Sequence, residues 1–203
     1  MKNDNHAVQT KCSWCVGKPL YEKYHDTEWG VPVYDDNILF EFMVLESAQA
    51  GLSWWTILQR RENYRKAFAG FDYKKLAKFT PKHVERLMRN EGIIRNRLKI
   101  LSVTSNAQRF LQIQKEFGSF ATYLWSFVGN RPIDNNVKQL KDIKPTTAVS
   151  DALAKDLKKK GFKFMGSKIV YAYMHACGLV NDHTADCFRH SQIKKIKLKK
   201  QGK

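Results

Sequence analysis

Leu45-Glu46-Ser47-Ala48-Gln49-Ala50-Gly51-Leu52-Ser53-Trp54-Trp55 puts a carboxylate, an amide, a glycine turn and two indoles within eleven residues. Leu39 and Met43 stand seven and three positions before Glu46, and Ala50 four after it, so a helix here sets Glu46 on its own apolar face. A carboxylate so placed is partly buried. Left unpaired it costs on the order of several kcal/mol or shifts its pKa, so it calls for a protein cation, a hydrogen-bond-donating ligand or an external cation. In one reading Glu46 pairs with an Arg or Lys and the tryptophans fill core. In the other, Gly51 ends the helix and Ser53 caps the next. Leu52, Trp54 and Trp55 then stand beside Glu46 as a concave corner with flat apolar walls and one acceptor, suited to a planar base.

The same recurrence extends outward. Asp35, Asp36 and Asn37 are capping residues for a helix from Ile38 to Gln49, and Ser53 opens one through Ile57 and Tyr64 to Phe68, stopped by Gly70. Thr80-Pro81 begins a helix through Val84 and Leu87 to Asn90, and from Ile94 an apolar period runs through Leu98, Leu101, Ala107 and Leu111. Further helices are expected around Leu20 to His25, from Ser119 to Val128, from Ser150-Asp151 to Lys160, and from Ser167 to Gly178, with 130–149 a connecting loop. No run shows strand alternation or a repeat of fixed period, so the chain is expected to be all-α.

Gly92 separates two of these helices, and a glycine hairpin of this kind lets backbone amides approach a phosphate, with Arg95, Arg97 and Lys99 adding charge. The plainer reading is a helical turn with solvated basic residues. The free amides after Gly166, at Ser167, make a second candidate phosphate seat, close to Lys163.

At 203 residues with 43% hydrophobic content the chain can bury one substantial core or two small lobes. No stretch approaches the roughly 20 apolar residues of a membrane-spanning helix, and the polar start Met1 to Thr10 has no apolar signal region, so a cytosolic or nuclear location is expected. The net charge is +17; Lys194, Lys195, Lys197, Lys199, Lys200 and Lys203 supply six, leaving +11 for the remainder. An excess spread this widely points to a polyanionic partner, nucleic acid foremost. The expected organisation is a mobile tail over 1–11, one domain over 12–190, and a basic tail over 191–203.

Cysteines at 12, 15, 177 and 187 are too few for a disulfide scaffold, which favours metal binding. His183 and Cys187, four apart, would share one helical face and offer two tetrahedral zinc ligands; Cys12 with either Cys15 or His25 would supply the others. Such a closed Cys/His site is structural. Free buried cysteines are the plain alternative.

Tyr24-His25-Asp26-x-Glu28-Trp29-Gly30-Val31-Pro32, Leu45-Glu46-x-x-Gln49-Ala50-Gly51-Leu52-Ser53-Trp54, Arg61-Glu62-Asn63-Tyr64, Gly161-Phe162-Lys163-Phe164 and Gly178-Leu179-Val180-Asn181-Asp182-His183 together resemble the bacterial 3-methyladenine DNA glycosylase I family over about Cys12 to Cys187. The resemblance implies an all-α helix-hairpin-helix glycosylase fold with a structural zinc ion, and excision of 3-methyladenine from alkylated double-stranded DNA by a cytoplasmic monomer. It implies zinc on Cys12, His25, His183 and Cys187, displacing Cys15. It also implies a base pocket of Glu46, Tyr24 and Trp54, walled by Trp14 and Tyr21, with Glu46 the residue of the chemistry. Separately from the resemblance, the glycine turns and their neighbouring cations give the expected DNA contacts: Gly51, Leu52, Gly92, Arg95, Lys163, Gly166 and Ser167. Between Asp72 and Asp134 there is no aspartate, so the catalytic Asp that many members of the wider superfamily place after the hairpin is missing, as in this family. Cys15, the Ser47-Ala48 pair and the lysine-rich extension from Ile193 are departures. A zinc-tethered DNA-binding module and a metal-dependent hydrolase are the competing classes; the second needs an open coordination position that four Cys/His ligands do not leave.

Overall fold

The computed structural model describes residues 9–196. Its α-helices are α1 (Pro19–Thr27), α2 (Asp36–Gln49), α3 (Trp54–Leu58), α4 (Arg61–Ala67), α5 (Tyr73–Leu76), α6 (Pro81–Met88), α7 (Arg97–Phe117), α8 (Phe120–Ser126), α9 (Ala148–Lys159), α10 (Ser167–Ala176) and α11 (Phe188–Lys194). The loop expected over 130–149 contains one short strand, β1 (Ile133–Asp134), paired in parallel with β2 (Val180–Asn181). Two residues are too few to leave an alternation in the sequence, so this ladder was not anticipated.

Around α2 the core is assembled. Asp35 accepts from the amides of Asn37 and Ile38 at 2.7 and 3.2 Å and starts the helix, while Asp36 reaches across to accept from the amides of Phe120 and Ala121, both at 2.9 Å, and so caps α8. Every residue from Leu39 to Ala48 is buried, because α2 packs against α3, α7, α8 and α10 together. The single apolar face expected here is therefore a whole circumference, and its residues include two glutamates.

The helix expected from Ser53 to Phe68 is broken at Gln59–Arg60 into α3 and α4. Beyond the break Arg61 and Arg65 meet Glu41. On α7 the buried stripe is Ile100, Val103, Ala107, Phe110 and Ile113, not the series through Leu98 and Leu101, which are 67% and 45% exposed. At the other end Gly178 has φ +70°, and a Cβ there would lie 2.3–2.4 Å from the backbone of Val31 and Pro32, so only glycine lets the two segments touch.

Packed structure also runs past the expected domain edges. The carbonyl of Thr10 accepts from the amide of Phe188 at 3.0 Å, and Lys11 pairs with Glu22 and Asp26. α11 reaches Lys194 with Ile193 buried, because His190 and Lys194 both bind Asp134, at 2.9 Å each. The remainder of the expected tails, 1–8 and 197–203, lies outside the described residues.

Candidate active site and metal centre

Glu46 opens onto a cavity of about 120 Å³ lined also by Trp14, Tyr21, Tyr24, Trp29, Gln49, Trp54, Ala172 and His175. A cavity of this size is well below the ~300–1,000 Å³ of sites for larger ligands and suits a single flat ring. The rings of Tyr24 and Trp54 stand 5.3 Å apart and those of Trp14 and Tyr21 4.7 Å apart. Glu46 Oε2 and Trp54 Nε1 are buried with no hydrogen-bond partner among the described residues. One is an acceptor and the other a donor, and both belong to residues that line the cavity.

The contrast with Glu41 bears on the reading in which Glu46 pairs with an Arg or Lys, for which the described residues offer no partner. Glu41 accepts from Arg61 Nε at 2.7 Å and from Arg65 at 2.7 and 3.0 Å, and thus has the cationic partners that Glu46 lacks. Burial without such a partner pushes the Glu46 pKa up to about 8. A ligand that donates a hydrogen bond or brings positive charge would reverse that cost. Two expected wall residues lie elsewhere: Leu52 is exposed after the Gly51 turn (φ +78°), and Trp55 packs on Tyr21 at 5.5 Å. A larger cavity, of about 460 Å³, is lined by Glu28, Pro32, Tyr34, Asp35 and Phe42 among others, but Arg61 holds Glu28 at 2.6 Å and Asp35 caps α2.

Directly behind the cavity wall, one ligand atom each from Cys12, His25, His183 and Cys187 lies within 4.8 Å of the others, all four residues being buried. His183 Nδ1 is 3.1 Å from His25 Nε2, 3.7 Å from Cys12 Sγ and 3.6 Å from Cys187 Sγ, and Cys187 Sγ is 3.4 Å from His25 Nε2. The outward nitrogens are held elsewhere: His25 Nδ1 by Asp26 at 2.8 Å and His183 Nε2 by the carbonyl of Trp29 at 3.0 Å. With those protons outward, both inward nitrogens present lone pairs. Cys187 is held below the usual thiol range chiefly by its hydrogen bond with Cys12, while that bond and burial push Cys12 up. Cys15 is apart: its thiol donates to the carbonyl of Cys12 at 3.1 Å, and burial keeps its pKa at about 11. His183 and Cys187 meet through a turn before α11, not on a shared helix as expected, since Cys187 is the residue that precedes it. The cluster and the cavity share walls, with Trp14 5.3 Å from His25 and Trp29 4.6 Å from His183.

The model of the methyladenine glycosylase family matches residues 14–190. The chain belongs to the methyladenine glycosylase family. It is 49% identical over 177 residues to DNA-3-methyladenine glycosylase 1 of Escherichia coli (strain K12), covering 87% of this chain and 95% of that one. Against a crystal structure of 3-methyladenine DNA glycosylase I the TM-score is 0.86 at 50% identity, over 88% of this chain and 98% of the other. It is again 0.86, at 37% identity over 93% and 99%, against a tyrosine-to-phenylalanine variant of 3-methyladenine DNA glycosylase I in complex with 3-methyladenine.

For this methyladenine glycosylase, sequence reasoning missed Trp29, Gln49, Ala172 and His175 as cavity residues. Gln49 could have been found, being one helical turn after Glu46. Trp29 follows His25 in the same motif. His175 is positioned by Asp182, 2.8 Å away, which also accepts from Tyr171 and Asn135, a long-range network with no local signature.

The surface segments expected at DNA are tied to one stretch of the molecule. Lys99 of α7 binds the turn before Gly51, Asn106 of α7 binds both backbone groups of Lys163 at 2.8 and 3.0 Å, and Ser47 of α2 contacts Met165 at 3.4 Å. The expected phosphate seats are less open than the sequence implied. The amide of Gly92 is donated to Asn90 Oδ1 at 2.9 Å and that of Ile94 to Tyr64 Oη at 3.1 Å, while Gly92 itself packs so that a Cβ would be 3.0 Å from Asn63. Arg97 is paired with Glu85 at 2.6 and 3.0 Å, whereas among the described residues Arg95 meets only Glu91, at 3.6 Å. Gly166 caps α10, and the Ser167 hydroxyl is engaged by Asp151 and Ser150.

Proposed function

We propose that this chain is a DNA repair glycosylase that hydrolyses the N-glycosidic bond of 3-methyladenine in alkylated double-stranded DNA. The observation that carries the reading is Glu46: a buried carboxylate without a partner among the described residues, in a small cavity walled by Tyr24 and Trp54.

Methylation at N3 makes the adenine ring cationic and weakens its bond to C1′. Such a base is already a good leaving group. Flipping it from the stack costs a few kcal/mol, least for a weakly held lesion, and stacking on Trp54 returns roughly 1 to 3 kcal/mol, with about 0.5 to 2 more from the ring's charge. Glu46 accepts from the exocyclic amine and offsets the cation; unmodified adenine brings no charge to balance it. Water then bonds to C1′ as the C1′–N9 bond breaks. The electron pair of that bond leaves with the base and quenches its charge, and the water's proton passes to solvent. No general acid is required, consistent with the missing aspartate after the hairpin.

One zinc ion on Cys12, His25, His183 and Cys187 completes the reading. With metal–sulfur near 2.3 Å and metal–nitrogen near 2.0–2.1 Å, a tetrahedral site has S···N edges of about 3.6 Å and an N···N edge of about 3.3 Å, close to the spacings of the cluster. Four protein ligands leave no open position, so the metal would supply stability and no reacting group. Gly51, Leu52, Gly92, Arg95, Lys163, Gly166 and Ser167 are the proposed DNA-facing set, with Arg95 and the exposed Leu52 foremost; a cytoplasmic monomer fits it. Release of free 3-methyladenine from alkylated DNA tests the function. The reading fails if the folded protein releases no methylated base while binding DNA.

A further inference from the structure

Lys99 lies in the first turn of α7, among the basic residues of the hairpin, yet its ammonium is turned inward. Nζ donates to the carbonyls of Ala48 and Ala50, at 2.9 and 2.5 Å. Those carbonyls belong to the end of α2, where helical amides no longer reach them and the helix dipole favours a cation. Burial lowers the Lys99 pKa, so the contact is made against a desolvation cost. The lysine is itself fixed, its amide donating to Asn96 Oδ1 at 3.1 Å.

The segment it holds has little else to define it. After Ala50, whose φ and ψ of −45° and 116° leave the helix, the other hydrogen bonds of the turn among the described residues are local, such as Leu52 to Gln49 at 2.6 Å and Ser53 with Thr56 at 2.8 Å. This turn sets the separation of Glu46 and Gln49, which end α2, from Trp54, which begins α3. The other end of the same lysine is anchored beside Arg95 and the exposed Leu98.

We propose that Lys99 is a positioning residue for base recognition: by clamping the end of α2 to the hairpin helix it fixes the Ala50–Ser53 turn and thereby the distance between Glu46 and Trp54. This rests on the reading of their cavity as the base pocket. Charge-assisted hydrogen bonds of this kind are the strong ones, and losing their orienting effect is expected to cost about 10-fold in base affinity.

The test compares wild type, Lys99→Met, Lys99→Arg and Trp54→Ala by titration with free 3-methyladenine, single-turnover excision, and the salt dependence of binding to undamaged duplex. The expected result is that Lys99→Met binds the free base about 10-fold more weakly and excises more slowly, with an unchanged salt slope, and that Lys99→Arg recovers part of both. A salt slope reduced by about one, with base affinity intact, would make Lys99 a phosphate ligand and overturn the proposal. So would a lowered melting temperature with base affinity and excision intact. If Lys99→Met does not fold, Lys99→Gln, which keeps a donor for the carbonyls, takes its place. Should wild type and Trp54→Ala bind the base equally poorly, the pocket reading itself fails, an outcome distinct from the loss of the Lys99 effect alone.

Discussion

Glu41 and Glu46 are both buried on α2, and the fate of each was open in the sequence. The kink between α3 and α4 sends Arg61 and Arg65 to Glu41, and no local pattern encodes that choice. What the sequence did hold was the position of Glu46 on an apolar helix face close to Trp54, and hence its need for a partner, either a protein cation or a ligand. Because burial raises its pKa from 4.5 to about 8, the folded state binds a proton that the unfolded state releases above pH 4.5. Glu46 is therefore fully tolerated below about pH 4.5, destabilises progressively as the pH rises toward about 8, and costs a constant amount beyond, roughly 4 to 5 kcal/mol in all. Relative to wild type, Glu46→Gln should gain urea stability steadily between about pH 5 and pH 8. A pH-independent difference would mean an ordinary carboxyl. The same substitution removes the charge that balances a cationic base and faces its amine with a second donor, so affinity for free 3-methyladenine should fall roughly 10- to 150-fold, about 1.5 to 3 kcal/mol. Unchanged affinity in a folded Glu46→Gln variant with abolished turnover would instead identify a proton donor.

At the scale of elements, the hairpin between α6 and α7 was legible and its use was not. Thr80-Pro81 starts α6 as expected, whereas α7 begins at Arg97 behind the Asn96 cap and not at Ile94, where the apolar period starts. The face of α7 was misread because a 21-residue helix with apolar residues on several sides offers more than one stripe, and only its neighbours choose. Likewise Arg95, Arg97 and Lys99 read as three equivalent cations, whereas Glu85 takes Arg97 and the end of α2 takes Lys99. Arg95→Ala should therefore lower the slope of log affinity for duplex DNA against log salt by about one, while Arg97→Ala should leave it nearly unaltered. Equal slopes in the two variants would remove the hairpin from the DNA face.

Over the whole molecule, the Cys/His cluster joins the two ends of the packed chain, Cys12 to Cys187, and its histidines back the tryptophans of the cavity. The ligand types could be read from the sequence; the choice of His25 over Cys15 could not be made from spacing, since it depends on how α1 presents His25 toward the turn before α11. A cross-link closing a loop this long removes about 5 kcal/mol of chain entropy from the unfolded state, and one zinc ion would act in the same sense. Because no ligand faces the reacting atoms, metal loss should appear first as lost stability. Chelation is thus expected to lower the melting temperature well before it slows excision by molecules that remain folded. Cys12→Ser should lose the metal and most of that stability, since Cys12 Sγ also accepts from the amide of Thr184 at 3.4 Å. Cys15→Ser should retain one zinc per chain, its thiol being a donor to a carbonyl and no part of the cluster. Elemental analysis of the purified variants decides it: active wild type with less than about half a metal ion per chain, or Cys15→Ser as metal-free as Cys12→Ser, would refute the site as drawn.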